Sequence, residues 1–194
     1  MKNTHVLILL LLGLTLLLTA CRSTDKNHLT VAMNRQNLMV VDGHTLPPEP
    51  DEGLNKATLL GIDVNNNGVR DDVERWIYLE MEIQNGYPKI ERAIGMQMAG
   101  ANQIILEDPS NPMDKAVNTV DAAMDCWVWY DYSKKSHQYG AQGRFSRAID
   151  DMSFNTLDRL KAYELFNASV SGRIFSSTPV LKTKSQCTSD IDVF

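Results

Sequence analysis

Basic charge is in short supply in this sequence. Lysine and arginine number 19 against 24 aspartates and glutamates, a formal net charge of −5. A general binder of polyanions carries the opposite balance, so no nucleic-acid partner is expected. Long apolar runs are lacking too. The longest covers residues 6–18, whereas a membrane-spanning helix needs roughly 20 residues. There is no GxSxG, HExxH or GxxxxGK pattern. That withholds support from the enzymes that use those motifs without excluding an enzyme. His28, His44 and His137 are dispersed without metal-ligand spacing and read as surface residues. No internal repeat is visible. What is present suffices for one domain: 194 residues, 43% of them hydrophobic.

The N-terminus has the secretory layout. Lys2 supplies a positive start, residues 6–18 (VLILLLLGLTLLL) an apolar stretch, and small residues lead into Cys21. Leu18, Thr19, Ala20 and Cys21 resemble the lipobox of bacterial lipoproteins. That resemblance implies removal of residues 1–20, a diacylglyceryl group on the Cys21 thiol and an acylated Cys21 amino group. Two or three acyl chains meet the two-signal requirement for stable anchoring. Arg22, in place of the aspartate that retains Gram-negative lipoproteins at the inner membrane, implies the outer membrane, with the protein facing periplasm or surface. Loss of Lys2 with the leader leaves a net charge near −6.

The compartment governs the remaining thiols. With Cys21 lipidated, Cys126 and Cys187 are the only two left, and in an oxidising space an even remainder is expected to form a disulfide. Such a bridge would stabilise the fold by roughly 4 kcal/mol on the loop-entropy account and would tie down a polar C-terminal tail.

Along the mature chain, residues 21–53 read as tether and connector. The stretch 22–37 is polar, 38–46 is compatible with a small hairpin about Asp42 and Gly43, and Pro47, Pro48 and Pro50 prevent regular structure after it. Residues 54–194 read as the folded domain. Val69, Val73, Trp76, Ile77 and Met81 recur at helical spacing, ending near Asn85 and Gly86. A second helix follows Pro88 with Ile90, Ala93, Ile94, Gln97, Met98, Ala101 and Ile105 on one face. A third, capped by Asn111 with Pro112 at its first position, carries the longest stripe, from Met113 to Val128. Gly140 and Gly143 open a loop, 145–152 makes a short helix, and Asn155 caps a last one that stops at Gly172. The tail from Arg173 is mostly irregular. The expected architecture is an all-α bundle of four to five helices.

Residues 63–74, DVNNNGVRDDVE, carry the chain's recognisable site chemistry. A hard divalent cation such as Ca2+ takes six to eight oxygens, so a loop that binds one alternates short oxygen-bearing side chains around a tight bend and closes with a bidentate glutamate. Asp63, Asn65 and Asn67 fall at positions one, three and five, Gly68 at the bend, Val69 with its carbonyl at seven, Asp71 at nine and Glu74 at twelve. The stretch resembles the calcium loops of EF-hand and dockerin-like modules in exported bacterial proteins. The likeness implies bound calcium held by Asp63, Asn65, Asn67, Val69, Asp71 and Glu74. Three anionic ligands and no sister loop place its affinity around 10⁻⁵ to 10⁻³ M, with a structural rather than signalling role. The competing reading is an Asn- and Asp-rich turn that caps a helix without metal. Arg70, at position eight, stands where paired loops carry an aliphatic residue.

Elsewhere, Trp127, Trp129, Tyr130 and Tyr132 read as core packing around Cys126 with a partly wet tyrosine rim, or as part of a binding surface. The pair Asp150 and Asp151 reads as a solvated helix start rather than catalytic acids. These features favour a noncatalytic envelope binding or structural module. The alternatives are an immunity or inhibitor protein against a cationic cell-wall-degrading toxin, and a glycan hydrolase using unidentified carboxylates.

Overall fold

The computed structural model describes residues 31–34, 38–85, 89–109, 115–134, 141–174, 176 and 178–188. In chain order the elements are β1 (Val31–Met33), β2 (Met39–Val41), β3 (His44–Thr45), α1 (Glu52–Lys56), α2 (Asp71–Asn85), α3 (Lys89–Glu107), α4 (Lys115–Lys134), α5 (Ala141–Ser153), α6 (Leu157–Val170) and α7 (Val180–Thr183). A short 3-10 turn, Lys184–Gln186, follows α7. The fold is mainly helical, as expected, but it is not all-α. β1, β2 and β3 form an antiparallel three-stranded sheet, pairing Val31 with Val41, Met33 with Met39, and Val40 with Thr45.

The sheet exists because its turn chemistry is sound and one of its faces finds a core. Asp42 (φ 49°) and Gly43 (φ 87°) both adopt left-handed backbone, the combination that matches a two-residue hairpin turn to strand twist. Val41 and Leu46 are wholly buried. The turn is pinned to α3: both terminal nitrogens of Arg92 donate to Asp42 Oδ2 at 3.1 Å, and Lys89 Nζ lies 3.1 Å from Oδ1. Arg75 of α2 donates to the Pro47 carbonyl at 2.8 Å and pairs with Glu49. Within the chain assigned to tether and connector, the described residues 31–34 and 38–46 thus carry the sheet.

α3 is the hub and touches α2, α4, α5 and α6. Its expected stripe of Ile90, Ile94, Met98, Ala101 and Ile105 is buried, and so are Glu91, Arg92, Ala99, Asn102 and Leu106 around the rest of its circumference. At Gly100 the helix runs beside the loop 63–74: a methyl built there would make ordinary contact with Val69 Cγ2, at 3.8 Å. One cluster joins Val73 and Ile77 of α2 to Ile94, Ala123, Trp127 and Ile149; a second gathers Ile105, Leu106, Ala116, Phe154, Ala162 and Phe166.

Several boundaries differ from the sequence reading. α5 starts at Ala141, so Gly143 lies inside a helix rather than in a loop. Thr156, not Asn155, caps α6, its hydroxyl accepting from the Arg159 amide at 3.3 Å. Gly172, with φ 77°, follows the end of that helix as expected. The tail carries α7 and the 3-10 turn and is fastened by the Cys126–Cys187 disulfide, 61 residues apart in sequence. Gln97 of α3 adds two clasps, donating to the Gln186 carbonyl at 2.8 Å and accepting from the Thr188 amide at 3.0 Å. The expected cap at Asn111 and Pro112 lies outside the described residues, as does Cys21.

Candidate metal centre

The loop 63–74 runs from the end of the α1 region into the first turn of α2. α1 has only five residues, so the loop has no long entering helix. Its base is closed by the Asp71 amide, which donates to the Ile62 carbonyl at 2.8 Å. Within the loop, Asn66 (φ 55°) and Gly68 (φ 82°) turn left-handed and produce the sharp bend. The Asp63 carboxylate accepts from the Asn67 and Gly68 amides at 3.2 and 2.9 Å, drawing the bend back over position one. Asn65 Oδ1 accepts from the Asn67 amide at 3.1 Å, and Asn67 Oδ1 from the Val69 amide at 2.8 Å, each an Asx turn that fixes its side chain inward.

Glu74 is wholly buried and is the convergence point. Its Oε2 accepts from Asn65 Nδ2 at 3.0 Å and Asn67 Nδ2 at 2.8 Å. Its Oε1 lies 2.5 Å from His44 Nε2. Asp71 is wholly exposure-free as well, and its two oxygens accept from the Val64 amide at 3.1 and 3.3 Å. Burial, followed by the nearby charges of Asp63, Glu74 and Asp72, pushes Asp71 up to about 6, against the opposing pull of the Val64 N–H. Asp71, Asp72 and Glu74 also occupy the first turn of α2, where the helix dipole favours negative charge.

Four of the six expected ligand residues, Asp63, Asn65, Asn67 and Glu74, are thus connected in one hydrogen-bonded network, while the Asp71 carboxylate is held apart from it by the Val64 amide. The Val69 side chain is buried in the core, and its amide belongs to the Asn67 turn. The donor set suits a hard cation, being oxygen-rich with three acids and two amides. The acids themselves are bridged by asparagines rather than bunched. Among the described residues, no group of three or more His, Cys, Asp or Glu side chains is close enough to hold an ion.

Two participants were not legible as such. His44, its side chain 37% exposed, bridges β3 to Glu74, and its ring stacks on Tyr78 at 4.3 Å between centroids, with Arg92 over the same tyrosine at 4.9 Å. Arg70, the departure at position eight, is 1% exposed and clamps the loop to the α5–α6 junction. Its Nε donates to Asp72 Oδ1 at 2.5 Å, Nη1 to the Ser153 carbonyl at 3.0 Å, and Nη2 to the Met152 carbonyl at 2.7 Å and Asn155 Oδ1 at 3.3 Å. Asn155 Oδ1 also accepts from Arg159 Nη1 at 2.7 Å. The rest of the Arg159 guanidinium donates to the carbonyls of Leu59, Asn55 and Thr58. Burial, then the neighbouring Arg70 charge, lowers Arg159 to about 10. Gly61 (φ 67°) is required where these arginines cross, since a methyl there would come within 2.3 Å of Arg70 Cδ.

The remaining candidates separate cleanly. Trp127 and Tyr130 are core residues beside the disulfide, Trp129 lies under Lys184 at 5.3 Å, and Tyr132 is exposed. Asp150 and Asp151 do not start a helix. They sit in the last turns of α5, Asp151 exposed and Asp150 half-buried with its carboxyl raised by burial. His28 and His137 lie outside the described residues. No helix among the described residues is long and apolar enough to cross a membrane. Comparison with protein families, curated proteins and solved structures finds no match to this chain.

Proposed function

We propose that the chain is a calcium-stabilised, noncatalytic binding module of the bacterial envelope, held at the outer membrane by acyl chains on Cys21. The observation that carries the calcium reading is the convergence of Asp63, Asn65, Asn67 and Asp71 about a buried Glu74 at the start of α2. Asp63, Asp71 and Glu74 bring three acids to this loop, while the loop's own arginine, Arg70, is engaged by Asp72 and the α5–α6 junction. A divalent cation relieves that imbalance. Binding requires the two asparagine amides to give up their N–H bonds to Glu74, since an amide nitrogen is no ligand for calcium. The ion's role is to hold the loop against α2 and the β3 edge, and the affinity stays in the weak range that extracellular calcium fills.

Calorimetric titration of a chain starting at Asn27 tests the ion. Wild type takes up one calcium and melts at higher temperature in its presence, while Glu74→Gln weakens binding on the order of tenfold or more. Identical heats and melting points for the two proteins, with and without chelator, reject the assignment. Envelope fractionation tests the anchor: Cys21→Ala releases the protein from membranes, and continued membrane attachment of that variant rejects lipidation at this residue. Pulldown from envelope extract, with calcium or chelator, tests the binding role by recovery of one stoichiometric partner.

A further inference from the structure

A cavity of about 310 Å³ lies among α3, α4, α5 and α6, on the far side of α3 from the loop's bend. Its walls are mostly apolar, with Met98 from α3, Met124 from α4, and Tyr163 and Phe166 from α6. One acid stands on them, Asp150 of α5. Asn102 Nδ2 donates to Asp150 Oδ1 at 2.8 Å and reaches Ser153 Oγ at 3.2 Å, so the amide is fixed from two sides and holds the carboxylate in place. Among the described residues, the side chain that donates to this carboxylate is Asn102, and the charged neighbour that acts on it is Asp151, of the same sign. Tyr163 is itself fixed by Phe154, stacked on it at 4.5 Å.

We infer that this cavity is a binding site for a small amphipathic amine, its ammonium group paired with Asp150 and its apolar body lodged between the methionines and the aromatic rings. The walls exclude the other classes. An anion meets Asp150 and a net charge of −5. A sugar demands hydrogen bonds all around its ring from a lining that is mostly apolar, and a metal ion finds one carboxylate where it needs several oxygens. An ammonium fits on two counts: it donates a charge-assisted hydrogen bond to the Asp150 carboxylate, and aromatic side chains attract cations. Burial raises the Asp150 carboxyl, so an arriving cation also recovers ionisation that the empty pocket opposes. At about 30 Å³ per water-sized group the space accommodates roughly ten non-hydrogen atoms, the size of a six- to eight-carbon amine.

The probes are n-hexylammonium and 1-hexanol, of equal length and differing in charge, titrated into the full mature chain at pH 7 and followed by NMR. The expected result is binding of the ammonium about tenfold more tightly than the alcohol, with nuclear Overhauser contacts from the hexyl chain to the Met98 and Met124 methyls. Asp150→Asn is expected to abolish the preference while leaving the alcohol's affinity unchanged. The ratio is expected to be the same in calcium and in chelator, so the outcome is independent of the loop's ion. Equal affinities in wild type, contacts to other methyl groups, or no binding of either probe at millimolar concentration overturns the inference. So does a preference that survives in Asp150→Asn. Should that variant not fold, the wild-type ratio and the methyl contacts decide the matter without it.

Discussion

Replacing Glu91 by glutamine is expected to stabilise this protein at alkaline pH and to leave it unchanged in acid. Glu91 sits on the hub helix α3, is 8% exposed and faces Tyr130 of α4; its Oε2 has no hydrogen-bond partner. Burial pushes its carboxyl from the ordinary 4.5 to about 7, and the hydrogen bond from Tyr130 only partly opposes that. The sign follows from proton linkage. The folded chain holds the proton up to about pH 7 whereas the unfolded chain releases it near 4.5, so ionisation favours unfolding throughout that window. The contribution of Glu91 to stability is full below pH 4.5, declines as pH rises and levels off above about 7. At 1.36 kcal/mol per pH unit, the penalty above that window is at most on the order of 3 kcal/mol. Glutamine carries no charge, and its carbonyl still accepts from the Tyr130 hydroxyl. Urea denaturation of both proteins at pH 5 and pH 8 measures the difference. A gap between them that is equal at the two pH values refutes the reasoning, because the other titrating groups cancel in the comparison.

Further outcomes follow from the clamp and the bridge. Arg70→Met strips Asp72 of its buried partner and frees the carbonyls of Met152 and Ser153, for an expected loss of about 3 to 5 kcal/mol in chemical denaturation. The same variant is expected to bind calcium more weakly in titrations done where both proteins are folded; equal affinity would show that the clamp does not set the loop. Gly61→Ala forces a side chain into left-handed backbone against the two arginines and is expected to cost about 2 kcal/mol or more, read as a lower melting temperature. Reduction of the Cys126–Cys187 bond is expected to remove up to about 4 kcal/mol, and an unmoved urea midpoint under reductant would contradict that.

What the sequence made legible was local, and what it concealed was remote. α2 and α3 were readable because their apolar residues recur at three and four positions along a single helix, and the loop was readable because its donors lie within twelve consecutive residues. His44 was not, because its partner Glu74 is 30 positions away and nothing in its own neighbourhood marks it. Arg70 was visible only as a mismatch to a pattern; its acceptors at Met152, Ser153 and Asn155 lie more than 80 residues later. Strand β1 has three residues in a polar stretch, too few for alternation to register, and it forms because β2 offers a pairing edge. α5 was shortened in the reading because Gly143 ordinarily weakens a helix, whereas here the following face, with Ile149 wholly buried, supplies packing that outweighs that preference.

The covalent link between Cys126 and Cys187 has a practical corollary under proteolysis. A single cut in any chain segment between those two cysteines, whether near the start of α5 or in the stretch after α6, cannot separate the pieces. Both fragments would travel as one molecule on a gel until a thiol reductant was added. A nicked chain would thus keep its hub helix and its loop in one covalent piece.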